Sequence, residues 1–179
     1  LVTVVTFLSS SADADKYADR LKQLYYTNRS SDGNTFFGFL CDLPESDGPT
    51  SAEDDVILKR VNERISKLNS ELENVFFAAV RKRSFNAEAG KYSAYERKRG
   101  AITEFLHAVK NGDKDGFMLL SDNVFGADFF VSLDSDTLPE PESIDKLVSV
   151  LCHPLSEPVY NGLSYHFQLK SDPGRKIHT

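Results

Sequence analysis

The chain has 179 residues, of which 40% are hydrophobic and 27% are charged, and this composition is typical of a soluble globular domain with a sizeable core. Its formal net charge of −6 argues against a general nucleic-acid-binding protein, because such proteins carry a basic surplus. No run approaches the roughly 18 apolar residues of a membrane span, and the opening "LVTVVTFLSS" lacks the charged start of a signal peptide. The chain does not begin with Met, so we expect a soluble piece of a longer protein.

Apolar, β-branched runs alternate with amphipathic patterns along the chain. The runs predict strands at 1–8, 35–41, 75–80, 116–120, 127–133 and 159–169. Apolar residues at helical spacing predict helices at 12–28, from the capping-box sequences at 50–53 and 93–96 onward, and at 141–154. In the last helix the residues predicted to face inward are Ile144, Leu147, Val148 and Leu151. The alternation predicts an α/β fold with a mostly parallel sheet and helices on both faces, followed by a disordered tail at 170–179.

Polar residues follow the predicted strands, at the edge of the sheet where such folds bind ligands. Serines follow the first strand, an acid the second, bases the third and two acids a later one: Ser9–Ser11, Asp42, Arg81–Arg83, and Asp134 with Asp136. Acids that could hold a metal and bases that could hold phosphate would therefore share one rim. This pattern favours a nucleotide-diphosphate site.

The sequence "LDSDT" places Asp134 and Asp136 two residues apart at a strand end, and residues at that spacing in a strand share one side. Two carboxylates at close range repel each other unless a cation lies between them, and Mg²⁺ and Mn²⁺ prefer such oxygen ligands. The alternative is a solvated strand end at which Asp136 or Thr137 caps the next helix.

Three passages of the chain resemble the glycosyltransferase domain of cyclic β-1,2-glucan synthases, which are family-2-like GT-A glycosyltransferases. The passages are "LYYTNRSSDGNTFFGFLCDLPES" (24–46), "YSAYERKRGAITEFL" (92–106) and "FFVSLDSDTLPEPESIDKLVSVLCHPLSEPVYN" (129–161). The match departs from the family pattern where tyrosines replace tryptophans before "ERKRG", and where "AITEFLH" lacks the family's asparagine.

The resemblance implies a GT-A, Rossmann-like fold and an inverting transfer of glucose from UDP-glucose to a β-1,2-glucan acceptor. It implies that 1–169 is the nucleotide-sugar-binding part and that the catalytic base lies beyond the chain, so that the chain alone is inactive. It also implies a membrane-embedded parent protein whose glycosyltransferase domain is cytoplasmic.

The resemblance also assigns roles to individual residues. Asp134 and Asp136 would hold Mg²⁺ or Mn²⁺ against the donor diphosphate, with Asp134 also near the sugar nucleotide. Lys98 would reach the donor phosphates, and Asp42 would contact uracil or ribose. Arg83 could close over the nucleotide. The alternative for Asp42 is a turn residue, for Lys98 a solvated basic face, and for Arg83 a charge at a strand exit.

Two other functions compete with this one. A phosphatase of the haloacid dehalogenase type has a D-x-D motif, but the threonine here directly follows Asp136 and the motif lies late in the chain. That function is therefore rejected. A non-catalytic nucleotide-sugar-binding or interaction domain that keeps the GT-A fold stays open, and metal-dependent donor binding would separate it from the enzyme.

Overall fold

A computed structural model describes residues 1–30, 33–156, 158–161, 166–169 and 172–177, and in the last three ranges it describes the backbone alone. The strands are β1 (Val2–Phe7), β2 (Phe37–Asp42), β3 (Phe76–Arg81), β4 (Ser84–Asn86), β5 (Lys91–Ser93), β6 (Phe117–Leu120), β7 (Val131–Asp134), β8 (Pro158–Asn161), β9 (His166–Leu169) and β10 (Asp172–Ile177). The α-helices are α1 (Ser11–Asn28), α2 (Ala52–Glu71), α3 (Arg97–Asn111) and α4 (Ser143–Cys152). Among the described residues, none of the helices combines the length and apolar character needed to cross a membrane.

The main sheet has five strands in the order β6-β3-β2-β1-β7. β7, β1, β2 and β3 run parallel, and β6 pairs antiparallel with β3 at one edge. The chain moves outward from β1 to β3 and then returns to place β7 on the other side of β1. The predicted α/β fold with a mostly parallel, Rossmann-like sheet is confirmed, and the strand order reverses between β1 and β7.

Helices cover both faces of this sheet, as predicted. On one face α1, α2 and the start of α4 pack on side chains of β1, β2 and β3, which include Phe37, Phe39 and Phe76. On the other face α3 packs through Phe105, whose ring stacks on that of Phe77 at a centroid distance of 6.0 Å. The strands are buried on both sides, which explains why their sequences are almost continuously apolar.

The two predicted capping boxes are wrong in position. α2 begins with Ser51 as its N-cap and Asp54 as its partner, one residue later than the predicted pair in 50–53. The pair predicted in 93–96 does not cap a helix, because Ser93 lies in β5, where it pairs with Ser84 of β4, and α3 begins at Arg97. Overlapping Ser, Thr, Asp and Glu residues make each register possible in sequence, and tertiary contacts select one.

The last predicted helix and strand also differ from the structure. In α4 only Ile144 is buried and Val148 is partly covered, while Leu147 and Leu151 are exposed because α4 meets the core through its first turn. The strand predicted at 159–169 is two antiparallel strands, β8 and β9. The sequence predicts a disordered tail at 170–179, whereas the backbone of Asp172–Ile177 pairs with β9 as β10. The remaining residues of that tail lie outside the described residues.

Candidate functional site

A cleft of about 680 Å³ opens at the carboxyl ends of the parallel strands, beside the point between β1 and β7 where the strand order reverses. In open α/β sheets this is the usual place for a ligand. Its lining comes from α1, the ends of β1 and β2, the loop after β2, the segment before α3, the first residues of α3 and the turn after β7. The lining residues are Val5, Thr6, Phe7, Tyr17, Asp42, Leu43, Glu45, Ser93, Ala94, Arg97, Lys98 and Ser135.

Asp42 lies at the floor of this cleft, paired with Arg81. Its two carboxylate oxygens accept hydrogen bonds from Nε and Nη2 of Arg81, at 2.7 and 2.9 Å. Burial lowers the pKa of the Arg81 guanidinium, but the hydrogen bonds and charges of its carboxylate partners, Asp42 first, raise that pKa above its ordinary value. Asp42 is therefore at the predicted place, and half of its acceptor capacity is already used by a buried guanidinium.

Arg81 also holds the segment that leads into α3. Its Nη1 donates to Glu104 at 3.0 Å, and its two terminal nitrogens donate to the backbone carbonyls of Tyr95 and Arg97 at 3.1 to 3.3 Å. Glu96 and Arg97 have φ angles of 52° and 40°, in the left-handed region that non-glycine residues rarely adopt. Each such residue costs about 1–3 kcal/mol and persists only where its surroundings hold it.

Lys98 follows this segment directly and contacts Asp134, which lies at the end of β7 beside the cleft residue Ser135. Its Nζ forms an ion pair and a hydrogen bond with Oδ1 of Asp134. Both side chains are largely in solvent, with exposed fractions of 47% and 61%. Two residues predicted to bind the donor from separate parts of the chain thus meet at one edge of the cleft.

The expectation that Asp134 and Asp136 share one side of a strand is wrong. β7 ends at Asp134, and the backbone N–H of Thr137 donates to the carbonyl of Asp134 at 3.0 Å, which closes a turn. Ser135 and Asp136 occupy the middle of this turn; Ser135 lines the cleft and Asp136 is exposed. The relative placement of the two carboxylates is therefore set by the turn and not by strand alternation.

The acidic residues of this turn form a small donor set. In the described part of the chain, no group of three or more His, Cys, Asp or Glu residues could hold a metal ion. Mg²⁺, however, is commonly held by one or two carboxylates, with waters and substrate phosphates completing its octahedron. Asp134 and Asp136 fit a metal that arrives with a diphosphate, and they do not form a complete protein cage.

Arg83, predicted to close over the nucleotide, is committed elsewhere. Its Nη1 and Nη2 donate to the two carboxylate oxygens of Asp54 at 2.6 and 2.8 Å, and its Nε donates to the carbonyl of Pro44. Both partners of the ion pair are buried, and the hydrogen bond from Arg83 is the main cause of a lowered pKa for Asp54. Arg83 thus ties the start of α2 to the loop after β2. The structure does not bring Arg83 to the cleft, because this buried carboxylate holds it.

The serines after β1 are likewise occupied by an internal acid. The backbone N–H groups and hydroxyls of Ser9 and Ser10 all donate to Oδ2 of Asp13, at 2.7 to 3.1 Å. These hydrogen bonds, with the hydroxyl of Ser9 first, lower the pKa of Asp13. The carboxylate of Asp13 therefore already occupies the anion-binding position at the amino-terminal end of α1.

Sequence reasoning placed Arg81 on the rim but did not select it as a site residue. A signal was present: "FGFLCD" and "FFAAVR" are strands of equal length whose last residues carry opposite charges. The strands pair in register from Phe37 with Phe76 to Cys41 with Val80, so Asp42 and Arg81 end side by side. Glu45, an exposed acid in the cleft wall, carried no comparable signal.

The chain was compared with known proteins. No protein-family model matches it. It is 29% identical over 167 residues to the cyclic beta-(1,2)-glucan synthase NdvB of Rhizobium meliloti (strain 1021). The alignment covers 90% of this chain and 6% of that protein, so the chain spans a small part of its curated relative. The resemblance drawn from the motifs is confirmed, and the chain is related to the cyclic β-1,2-glucan synthases.

Proposed function

We propose that the cleft is the donor site of a GT-A glycosyltransferase domain that uses UDP-glucose. The observation that carries this proposal is the convergence of Asp42, Lys98 and Asp134 at the cleft, beside the point where the strand order reverses. These residues come from three separate segments, and each is a residue type suited to part of a nucleotide diphosphate. The relationship to a glucan synthase supports the same reading.

The nucleoside would lie on the β2 side of the cleft. Each carboxylate oxygen of Asp42 accepts one hydrogen bond from Arg81, and each retains a lone pair for a ribose hydroxyl or the uracil N–H. Because the guanidinium fixes both oxygens, Asp42 presents its acceptors without a search over rotamers. Such preorganisation reduces the entropy cost of binding.

The diphosphate would lie on the β7 side. Lys98 would exchange Asp134 for a phosphate oxygen, which releases Asp134 to act with Asp136 toward Mg²⁺ or Mn²⁺. When bound, the metal would supply Lewis-acid neutralisation of charge on the departing UDP. This exchange costs little free energy because the Lys98–Asp134 pair is exposed, and exposed pairs contribute only about 0–1 kcal/mol.

The full activity that we propose is inverting transfer of glucose to a β-1,2-glucan acceptor in the cytoplasm, by a membrane-embedded parent protein. A single-displacement transfer needs a general base within hydrogen-bond reach of the acceptor hydroxyl. In the family that the chain resembles, this base lies outside the matched part. We therefore expect the 179-residue chain to bind donor without transferring glucose, and a transfer assay with UDP-glucose and β-1,2-glucan would check this.

Calorimetric titration of UDP and UDP-glucose, with and without Mn²⁺, tests the donor site. The wild-type chain should bind both ligands more tightly with Mn²⁺, and Asp136→Asn should lose that metal dependence. Asp128→Asn is the matched control, because Asp128 is an exposed acid before the opposite end of β7. Absence of UDP binding by the wild-type chain would refute the donor site. Binding that ignores Mn²⁺ would refute the metal and favour the non-catalytic alternative.

A further inference from the structure

We infer that Arg81 is a positioning residue that sets the distance between the nucleoside and diphosphate halves of the site. This inference rests on the proposed function, because it concerns the same cleft. Arg81 is only 2% exposed in its side chain, so it acts on a ligand through other residues. The groups it holds, Asp42 on one side and the segment before Lys98 on the other, belong to the two halves.

The hydrogen bonds of Arg81 show that its role depends on the guanidinium shape as well as its charge. Each of its three nitrogens donates: Nε and Nη2 to Asp42, Nη1 to Glu104, and the terminal nitrogens to two backbone carbonyls. A lysine at this position would keep the charge but offer one compact ammonium in place of a planar fork. It cannot reach a carboxylate on β2 and carbonyls before α3 at the same time.

The segment that Arg81 holds cannot keep its shape unaided. Two successive non-glycine residues, Glu96 and Arg97, have left-handed backbone angles, and the carbonyls of Tyr95 and Arg97 point to the guanidinium. Lys98 is the next residue, so the position of its side chain depends on this backbone. When the guanidinium is lost, the backbone before Lys98 is expected to relax toward common angles and move its ammonium relative to Asp42.

Arg83 provides an internal comparison two residues along the chain. It too is buried and forms a two-pronged pair with a carboxylate, Asp54, but its other partners are carbonyls of the loop after β2. Arg81→Lys and Arg83→Lys should therefore destabilise the fold to a similar degree. They should differ at the cleft, because only the first loosens the segment before Lys98.

The experiment compares these two variants by calorimetry with UDP and Mn²⁺, and by NMR titration with uridine and pyrophosphate separately. Arg81→Lys should weaken UDP binding at least tenfold, and by a larger factor than its losses for uridine and pyrophosphate multiplied together. Arg83→Lys should stay within twofold of wild type for all three ligands. Equal UDP affinity in Arg81→Lys and wild type, or equal losses in both variants, would overturn the inference.

Hydrogen–deuterium exchange gives a readout that does not depend on any ligand. Arg81→Lys should lose protection at residues 95–100, and Arg83→Lys should lose it at 44–54. If the wild-type chain fails to bind UDP, the proposed function fails, while the exchange pattern still decides the positioning role. If Arg81→Lys does not fold, Glu104→Gln takes its place, since Glu104 is partly exposed and bonds Nη1 alone. Unchanged protection at 95–100 in that variant would overturn the inference.

Discussion

Replacing Lys98 by Met should move the affinities for nucleotide and metal in opposite directions. Lys98 pairs with Asp134 in the structure, and in the proposed function Lys98 binds the donor phosphates. Lys98→Met should weaken UDP binding, because a hydrogen bond between charged groups is lost. The same change should strengthen binding of Mn²⁺ alone, because the ammonium no longer competes for Asp134.

The exposed fractions set the size of both effects. With 47% of Lys98 and 61% of Asp134 in solvent, water and salt screen their attraction. Exposed pairs contribute up to about 1 kcal/mol, so Mn²⁺ affinity should rise by no more than about fivefold. A hydrogen bond to a charged phosphate contributes about 1.5–3 kcal/mol, so UDP affinity should fall by roughly 10- to 150-fold. Uridine, which has no phosphates, should bind the variant and wild type alike.

Electron paramagnetic resonance of free Mn²⁺ and calorimetry with UDP and uridine measure these affinities. Lys114→Met is the matched control: Lys114 forms an exposed pair with Asp122 away from the cleft, with exposed fractions of 46% and 87%. That variant should change none of the three affinities. A fall in Mn²⁺ affinity in Lys98→Met, or equal losses for UDP and uridine, would show that the variant damages the site generally.

Two further predictions concern stability and the segment before α3. Asp54→Asn should cost about 3–5 kcal/mol at pH 7 because it leaves the buried charge of Arg83 without its partner, as measured by urea unfolding. The folded pKa of Asp54 is lowered, chiefly by that hydrogen bond, so the stability it provides is complete above about pH 4 and is lost as pH falls through the folded pKa. The difference in the free energy of unfolding between Asp54→Asn and wild type should become smaller in acid. A difference that stays constant with pH would contradict this. Gly100→Ala places Cβ in steric conflict with the carbonyl oxygen of Tyr95 and should weaken UDP binding. Gly112→Ala, with φ of 70° and no atom within 4 Å of its Cβ, should affect only stability. Equal UDP affinity in the two variants would refute the role of the contact with Tyr95.

The strands and helices that build the sheet were predictable from the sequence because burial on both faces leaves a strong pattern. "FGFLC" and "FFAAV" are apolar at nearly every position, as buried parallel strands are. Their alternation with helices predicts a parallel sheet, and the edge that carries polar residues predicts where the cleft lies. The exposed hairpin β4–β5 was missed because its three-residue strands bury almost nothing and so leave no pattern.

The partners of the charged residues were not predictable in the same way. Arg81 and Arg83 both follow one strand, and sequence alone does not say which carboxylate each one meets. Asp54 reaches Arg83 because the first turn of α2 returns toward β3, a tertiary arrangement with no local signal. β7 ends at Asp134, one residue after the predicted strand end at 133, which is the normal uncertainty of element boundaries. The turn that the Thr137 N–H closes onto the carbonyl of Asp134 makes Asp134 and Asp136 members of a turn instead of strand neighbours.

The two ion pairs at the cleft differ in how easily they can change partners. Asp42 and Arg81 are buried, and breaking such a pair by removing one partner costs about 3–5 kcal/mol because a charge is left without compensation. Lys98 and Asp134 are exposed, and water can solvate both when they separate. A ligand that carries its own negative charge can therefore take Lys98 from Asp134 but cannot take Arg81 from Asp42. Nucleotide binding should thus rearrange the β7 side of the cleft and leave the β2 side fixed, so the nucleoside would find a rigid surface while the diphosphate and metal complete an adjustable one.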